Sequence, residues 1–254
     1  MKRIVFILLF ISNFLVYSES LKVGILQFAP PFSSKSDKSN HYYGFVIDLM
    51  NRICNRLQEK CEYIPIPKEG ELKGLEQGIF DIVFSSTPIT TSLSDTYHRY
   101  SLPYLTSDGQ FLTLKENSIN TLNDINFKKI GFFKINFQQS PLLKKYDATS
   151  TLIEFTDPAE LVNALTTKKI DVILINYQAA RYIVNNLNPT EDNHLKLIGD
   201  KIPIGSGYGI IALKNQSALI DKINDILLEM EKDGSYLQIY NEYFGANPAY
   251  NLHH

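Results

Sequence analysis

The chain has 254 residues, room for one or two domains. Hydrophobic residues at 44% and charged residues at 20% sit near globular averages, which excludes disorder and collagen-like repeats. Against 27 acidic side chains stand 25 basic ones, a net charge of −2, so no basic field exists to hold a phosphate backbone and no nucleic-acid partner is expected.

The first twenty residues differ in kind from the rest. Lys2 and Arg3 form a positive start, an unbroken apolar run covers 4–11, and small residues follow at Ser18 and Ser20. That is the layout of a cleavable secretory signal over 1–20, and the run is too short and interrupted for a membrane anchor. No later stretch reads as a transmembrane helix, so an exported protein is expected.

A first strand is predicted over 21–27, then a loop through Pro30, Pro31 and the polar stretch 33–40. Gly44 opens a helical pattern reaching Cys61, with Ile47, Met50, Ile53 and Leu57 on one buried face. Strands are predicted at 62–66 and 81–84, with a helix over 72–77 between them. Alternating strands and helices imply βα units and a largely parallel sheet.

The pattern restarts at the strand 129–133. Asp157-Pro158 marks a helix start, Asp as N-cap and Pro at the first helical position, before a helix over 159–167 and a strand over 171–175. LEQGIFDIVFSS (75–86) and LTTKKIDVILIN (165–176) share a Leu six residues before an Asp, a hydrophobic strand, and a small polar residue five past the Asp. Two related units follow, with Ser86 and Asn176 at matching strand ends, where open α/β sheets bind ligands. The last fifty residues break the pattern: a Gly-rich turn over 205–209, a strand over 210–213, a long helix over 217–232, a stop at Gly234, and a short aromatic helix.

Four segments resemble the bacterial extracellular solute-binding proteins of family 3, the periplasmic polar amino acid-binding components of ABC importers, with arginine and lysine/arginine/ornithine binders as the nearest types. They are GFVIDLMNRICNRLQEKC (44–61), FDIVFSSTPIT (80–90), YSLPY (100–104) and EKDGSYLQIYNEYFG (231–245). The resemblance implies an α/β, two-lobed periplasmic binding protein fold (type II), its ligand cleft between lobes joined by two crossovers. Lobe one would be 21–110 plus 204–254 and lobe two 111–203. It also implies a Cys54–Cys61 disulfide, a membrane permease and ATPase as partners, a periplasmic monomer, and neither cofactor nor metal.

Carried over residue by residue, the family's amino acid contacts are eroded. Its carboxylate-clamping Arg falls on Leu93 or Ser94, with Arg99 the nearest cation; its ammonium-binding acid falls on Asn176. A serine of its strand-end run is Pro88, which has no N–H. The expected ligand-binding set is Phe28, Ser85, Ser86, Thr87, Phe137, Gln138 and Asn176, with no catalytic residue. Such a set suits a neutral or weakly charged polar solute, or one with an apolar part. The leading expectation is therefore an importer's binding component. A dehydratase-like enzyme on the same scaffold and a sensor subunit are the alternatives; the enzyme would need the missing Arg.

Overall fold

The computed structural model describes residues 20–36, 39, 41–67, 70–89, 97–133, 141–186 and 195–245. All of the predicted signal over 1–20 except Ser20, the clamp positions Leu93 and Ser94, and Phe137 and Gln138 lie outside them.

Two five-stranded sheets organise the chain. The first takes β1 (Leu21–Ile25), β5 (Cys61–Pro65), β6 (Ile82–Phe84), β7 (His98–Tyr100) and β13 (Ile210–Leu213), in the order β5-β1-β6-β13-β7. The second takes β8 (Asp108–Leu114), β9 (Lys129–Phe133), β10 (Thr151–Phe155), β11 (Val172–Asn176) and β12 (Leu195–Pro203), in the order β10-β9-β11-β8-β12. Each is mixed, a correction to the largely parallel expectation. Four strands of each point the same way, while the fifth is antiparallel to both of its neighbours: β13 to β6 and β7, and β8 to β11 and β12. The reason is connectivity: the chain enters and leaves the second unit through β8 and β12, and returns to the first through β13.

The repeat seen in the sequence has a shared geometry. Asp81 Oδ2 accepts from Lys22 N at 2.8 Å, and Asp171 Oδ2 from Lys129 N at 2.8 Å, so each Asp ties the start of its strand to the neighbouring one. Both first strands carry a glycine for the same reason. A Cβ on Gly24 would meet the Phe80 ring at 2.9 Å, and one on Gly131 would meet Ile170 at 2.5 Å.

Helix α1 (Phe45–Leu57) buries Ile47, Met50 and Ile53, as the spacing predicts. It stops short of Cys61 because Gln58 takes a left-handed conformation, φ 60°, leaving Cys61 to open β5. Cys54, near the helix end, is bonded to Cys61. The loop expected after Pro30 instead forms a small antiparallel sheet of β2 (Phe28–Ala29), β3 (Ser33–Lys35) and β4 (Tyr42–Tyr43). Its strands are too short to show any alternation in sequence.

Helix α2 (Glu71–Glu76) packs on β6 and β13. In the second unit come α3 (Pro141–Asp147), α4 (Pro158–Thr166) and α5 (Tyr177–Asn186). Asp157 caps α4 as expected, its Oδ1 accepting from Ala159 N at 2.7 Å. Side chains of β8 alternate: Phe111 enters one apolar cluster with Ile130 and Leu174, Leu112 the other with Leu165 and Ile173. Both faces are thus covered and the whole strand is buried. The first sheet shares its core with α1 and with α6 (Ser217–Lys232) and α7 (Ser235–Phe244), through Phe45, Ile220, Ile223, Met230 and Phe244. Among the described residues no helix is long and apolar enough to cross a membrane.

Two connections join the sheets, 101–107 and 204–209, and they pair with each other. Tyr208 N donates to Leu105 O at 2.8 Å, Tyr104 N to Tyr208 O at 2.8 Å, and Ile204 N to Ser107 O at 2.9 Å. Further bridges come from α5, where Gln178 Nε2 donates to Tyr240 Oη at 3.1 Å and Arg181 to Phe244 O at 3.4 Å.

Candidate functional site

A cavity of about 500 Å³ is lined from both sheets. The first unit contributes Phe28, Ala29 and Pro30 after β1, Ser85 and Ser86 after β6, and Tyr104 and Tyr208 from the paired connections. The second contributes Phe133 at the end of β9, Ile175 and Asn176 at the end of β11, and Pro158, Ala159 and Val162 of α4. Most of the lining is apolar, and none of the described lining residues carries a charge.

Of the expected contacts, Phe28, Ser85, Ser86 and Asn176 come together on this one cavity. Phe28 is 55% exposed, so its ring is offered to the space rather than spent in the core. Thr87 adjoins the site without lining it; its N–H donates to Ser85 Oγ at 3.0 Å. Arg99 is absent from the lining and pairs with Asp221 of α6 at 2.9 Å on the exposed surface.

Asn176 is less free than a strand-end amide would be. It is 5% exposed, and its Oδ1 accepts from Gln178 N at 2.8 Å and Ala179 N at 3.2 Å. These are the second and third amides of α5, so Asn176 is that helix's N-cap. Its Nδ2 donates to Tyr208 Oη at 3.2 Å, a link between the units. The second N–H of the amide has no partner among the described residues. Burial pushes the Tyr208 hydroxyl up to about 12, against the pull of the Asn176 hydrogen bond, so it stays protonated at neutral pH.

Sequence reasoning missed three residues here. Tyr104 and Tyr208 line the cavity, and the buried Tyr104 hydroxyl donates to Ser85 O at 3.4 Å. The third, Glu71, lies beneath the serines at the first position of α2 and is 7% exposed. Its Oε2 lies 3.0 Å from Ser85 Oγ, and its Oε1 accepts from Ser86 N at 2.7 Å and from the Ser86 hydroxyl. Burial pushes its carboxyl up from the ordinary value, against those hydrogen bonds. The signal available was Glu71 itself, a carboxylate immediately before the helix predicted over 72–77.

Residues 21–246 match the family described as bacterial extracellular solute-binding proteins, family 3. The chain is similar to the L-cystine-binding protein TcyJ of Escherichia coli strain K12, 26% identical over 230 residues, which cover 90% of this chain and 84% of that protein. It is similar, too, to the lysine/arginine/ornithine-binding periplasmic protein of that strain, 24% identical over 240 residues, with 93% and 92% covered. Among solved structures, an arginine 3rd transport system periplasmic binding protein from Legionella pneumophila superposes with a TM-score of 0.82 at 35% identity, covering 89% of this chain and 100% of that one. With residues 21–246 matched and the two-lobed architecture shared, this chain belongs to the bacterial extracellular solute-binding proteins, family 3.

Proposed function

We propose that the chain is the periplasmic substrate-binding component of an ABC importer, capturing a small polar solute, an amino acid or derivative, by closure of two lobes. The observation that carries this is a cavity lined from both sheets, with Ser86 and Asn176 at equivalent strand ends. The names of the similar proteins support the solute class and the compartment. In this reading lobe one is 21–110 plus 204–254 and lobe two 111–203; strand membership of the two sheets supports the division except at β8, a strand of the second sheet that begins at Asp108. Phe28, Ser86 and Asn176 contact the solute, Ser85 and Thr87 shape the strand end, and Phe137 and Gln138 act from lobe two. The protein is a non-catalytic monomer, exported by a signal over 1–20, that delivers its solute to a permease and ATPase.

The lining of the cavity favours an uncharged or internally neutralised solute with an apolar body. A charged group buried without a partner is strongly unfavourable, and none of the described lining residues offers an opposite charge. The test is a thermal-shift screen of the twenty amino acids, ornithine, citrulline and cystine. At a hundred times its Kd a specific solute adds about 2.7 kcal/mol of stability. Neutral solutes with apolar side chains should lead the ranking; sub-micromolar arginine binding would overturn the charge argument.

A further inference from the structure

The hydrogen bonds around Glu71 can be counted proton by proton. Ser85 Oγ accepts from Thr87 N at 3.0 Å and has two further oxygen neighbours, Thr87 O at 2.9 Å and Glu71 Oε2 at 3.0 Å. A hydroxyl has one proton, so it can donate to only one of them. If Glu71 were ionised, the other contact would set two lone pairs against each other inside the protein. If Glu71 is protonated on Oε2, every group is paired: Glu71 donates to Ser85 Oγ, Ser85 donates to Thr87 O, and Oε1 accepts both protons of Ser86.

We propose that Glu71 is a positioning residue held as a neutral carboxylic acid, and that it fixes Ser86 as a hydrogen-bond acceptor at the cavity, so that the solute group meeting Ser86 is a donor. The second half rests on the solute-binding reading above; the first does not. The Ser86 hydroxyl proton is committed downward to Glu71, leaving lone pairs toward the cavity. Across the space, Asn176 has one N–H to spare, and Tyr208 accepts from Asn176 while no described residue takes its own proton. The cavity therefore shows an acceptor on the Ser86 side and donors on the Asn176 side. A solute that fits carries an amide, hydroxyl or amine donor at one end and a carbonyl or carboxyl acceptor at the other.

Surroundings agree with a neutral acid. The strands under α2 present Ile82, Val83, Phe84, Ile210, Ile211 and Ala212, none of them titratable. The titratable group that feels Glu71 is Tyr104, itself held protonated by burial, with Tyr208 and Tyr236 beyond it; no described cation stabilises a charged Glu71. A raised carboxyl value means the folded state holds its proton longer than the unfolded chain. The stability this contributes is present below the ordinary carboxylate range and is lost as pH rises through the folded value.

The experiment uses the full mature chain without any solute, so its result and the failure of the solute-binding reading are separable. Infrared difference spectra of wild type minus Glu71→Gln at pH 7 should show the carbonyl stretch of a protonated carboxylic acid. Glutamine reproduces the neutral acid, its amide donating to Ser85 and its carbonyl accepting from Ser86. Glu71→Gln should therefore keep the Ser86 amide and hydroxyl protons in slow exchange with water, while Glu71→Leu speeds both at least tenfold. Between pH 5 and 9 the wild-type Tm should fall relative to that of Glu71→Gln. A carboxylate signal in place of the acid band, or a Glu71→Gln protein as perturbed as Glu71→Leu, would overturn the proposal. Should Glu71→Leu fail to fold, the infrared band and the pH profile of Glu71→Gln still decide.

Discussion

Replacing Asn176 by Ala removes three hydrogen bonds at once. Its Oδ1 caps α5 through Gln178 N and Ala179 N, and its Nδ2 reaches Tyr208 across the units. Loss of an N-cap destabilises by about 1 kcal/mol, within a range of about 0.5–2. A lost intramolecular hydrogen bond adds about 1 kcal/mol, more if the Tyr208 hydroxyl is left unpaired. Asn176→Ala should therefore lose about 2 kcal/mol in urea unfolding, seen as a lower midpoint at unchanged slope. Tyr208→Phe separates the two parts: it removes the cross-unit bond and leaves Asn176 Oδ1 capping α5. It should lose about half as much, roughly 1 kcal/mol. Amide hydrogen exchange gives the local reading, since Gln178 and Ala179 should lose protection in Asn176→Ala and keep it in Tyr208→Phe. An Ala variant within roughly 0.5 kcal/mol of wild type would refute the capping role, because that is the scatter of ordinary surface changes. Equal losses in both variants would refute the division between cap and cross-unit bond.

Two further outcomes are expected. Reducing the Cys54–Cys61 bond, whose partners are 7 residues apart, should lower stability by about 2.5 kcal/mol from loop-closure entropy, measured by urea unfolding with and without reductant; an unchanged midpoint would show that the bond does not constrain the unfolded chain. Gly24→Ala places a methyl 2.9 Å from both the Phe80 ring and Val83, so overpacking should destabilise by about 1–3 kcal/mol, and a calorimetric Tm equal to wild type would refute that account.

Where local pattern decides structure, the sequence was readable. The buried stripe of α1, the Asp157 cap, the strand Ile210–Leu213 and the helix Ser217–Lys232 all follow from spacing and capping chemistry within a few residues. Even the paired strand ends were legible, because Asp81 and Asp171 mark the same step in two related units. What escaped depends on distant partners. Glu71 means little until β6 places Ser85 and Ser86 beside it, and Tyr208 means little until the two connections pair. Asn176 was seen as a strand-end amide, yet the same residue also begins a helix, and the cap takes its acceptor. The end of α1 was misjudged because the left-handed residue is Gln58, where glycine is the usual signal.

The pairing of the two connections bears on how this molecule can move. Two separate strands would act as a loose swivel, leaving the halves free to twist and slide. Bonded side by side through Leu105 and Tyr208, they form a narrow ribbon, which flexes across its face far more readily than it shears in its plane. The proposed closure would then follow one track, bringing the two walls of the cavity back to the same alignment each time. Tyr208 lies on that ribbon and also on the cavity wall, with Asn176 bonded to its hydroxyl. The part that bends is therefore also a part that touches, and a change in the ribbon alone alters grip without altering any residue of the opposing wall.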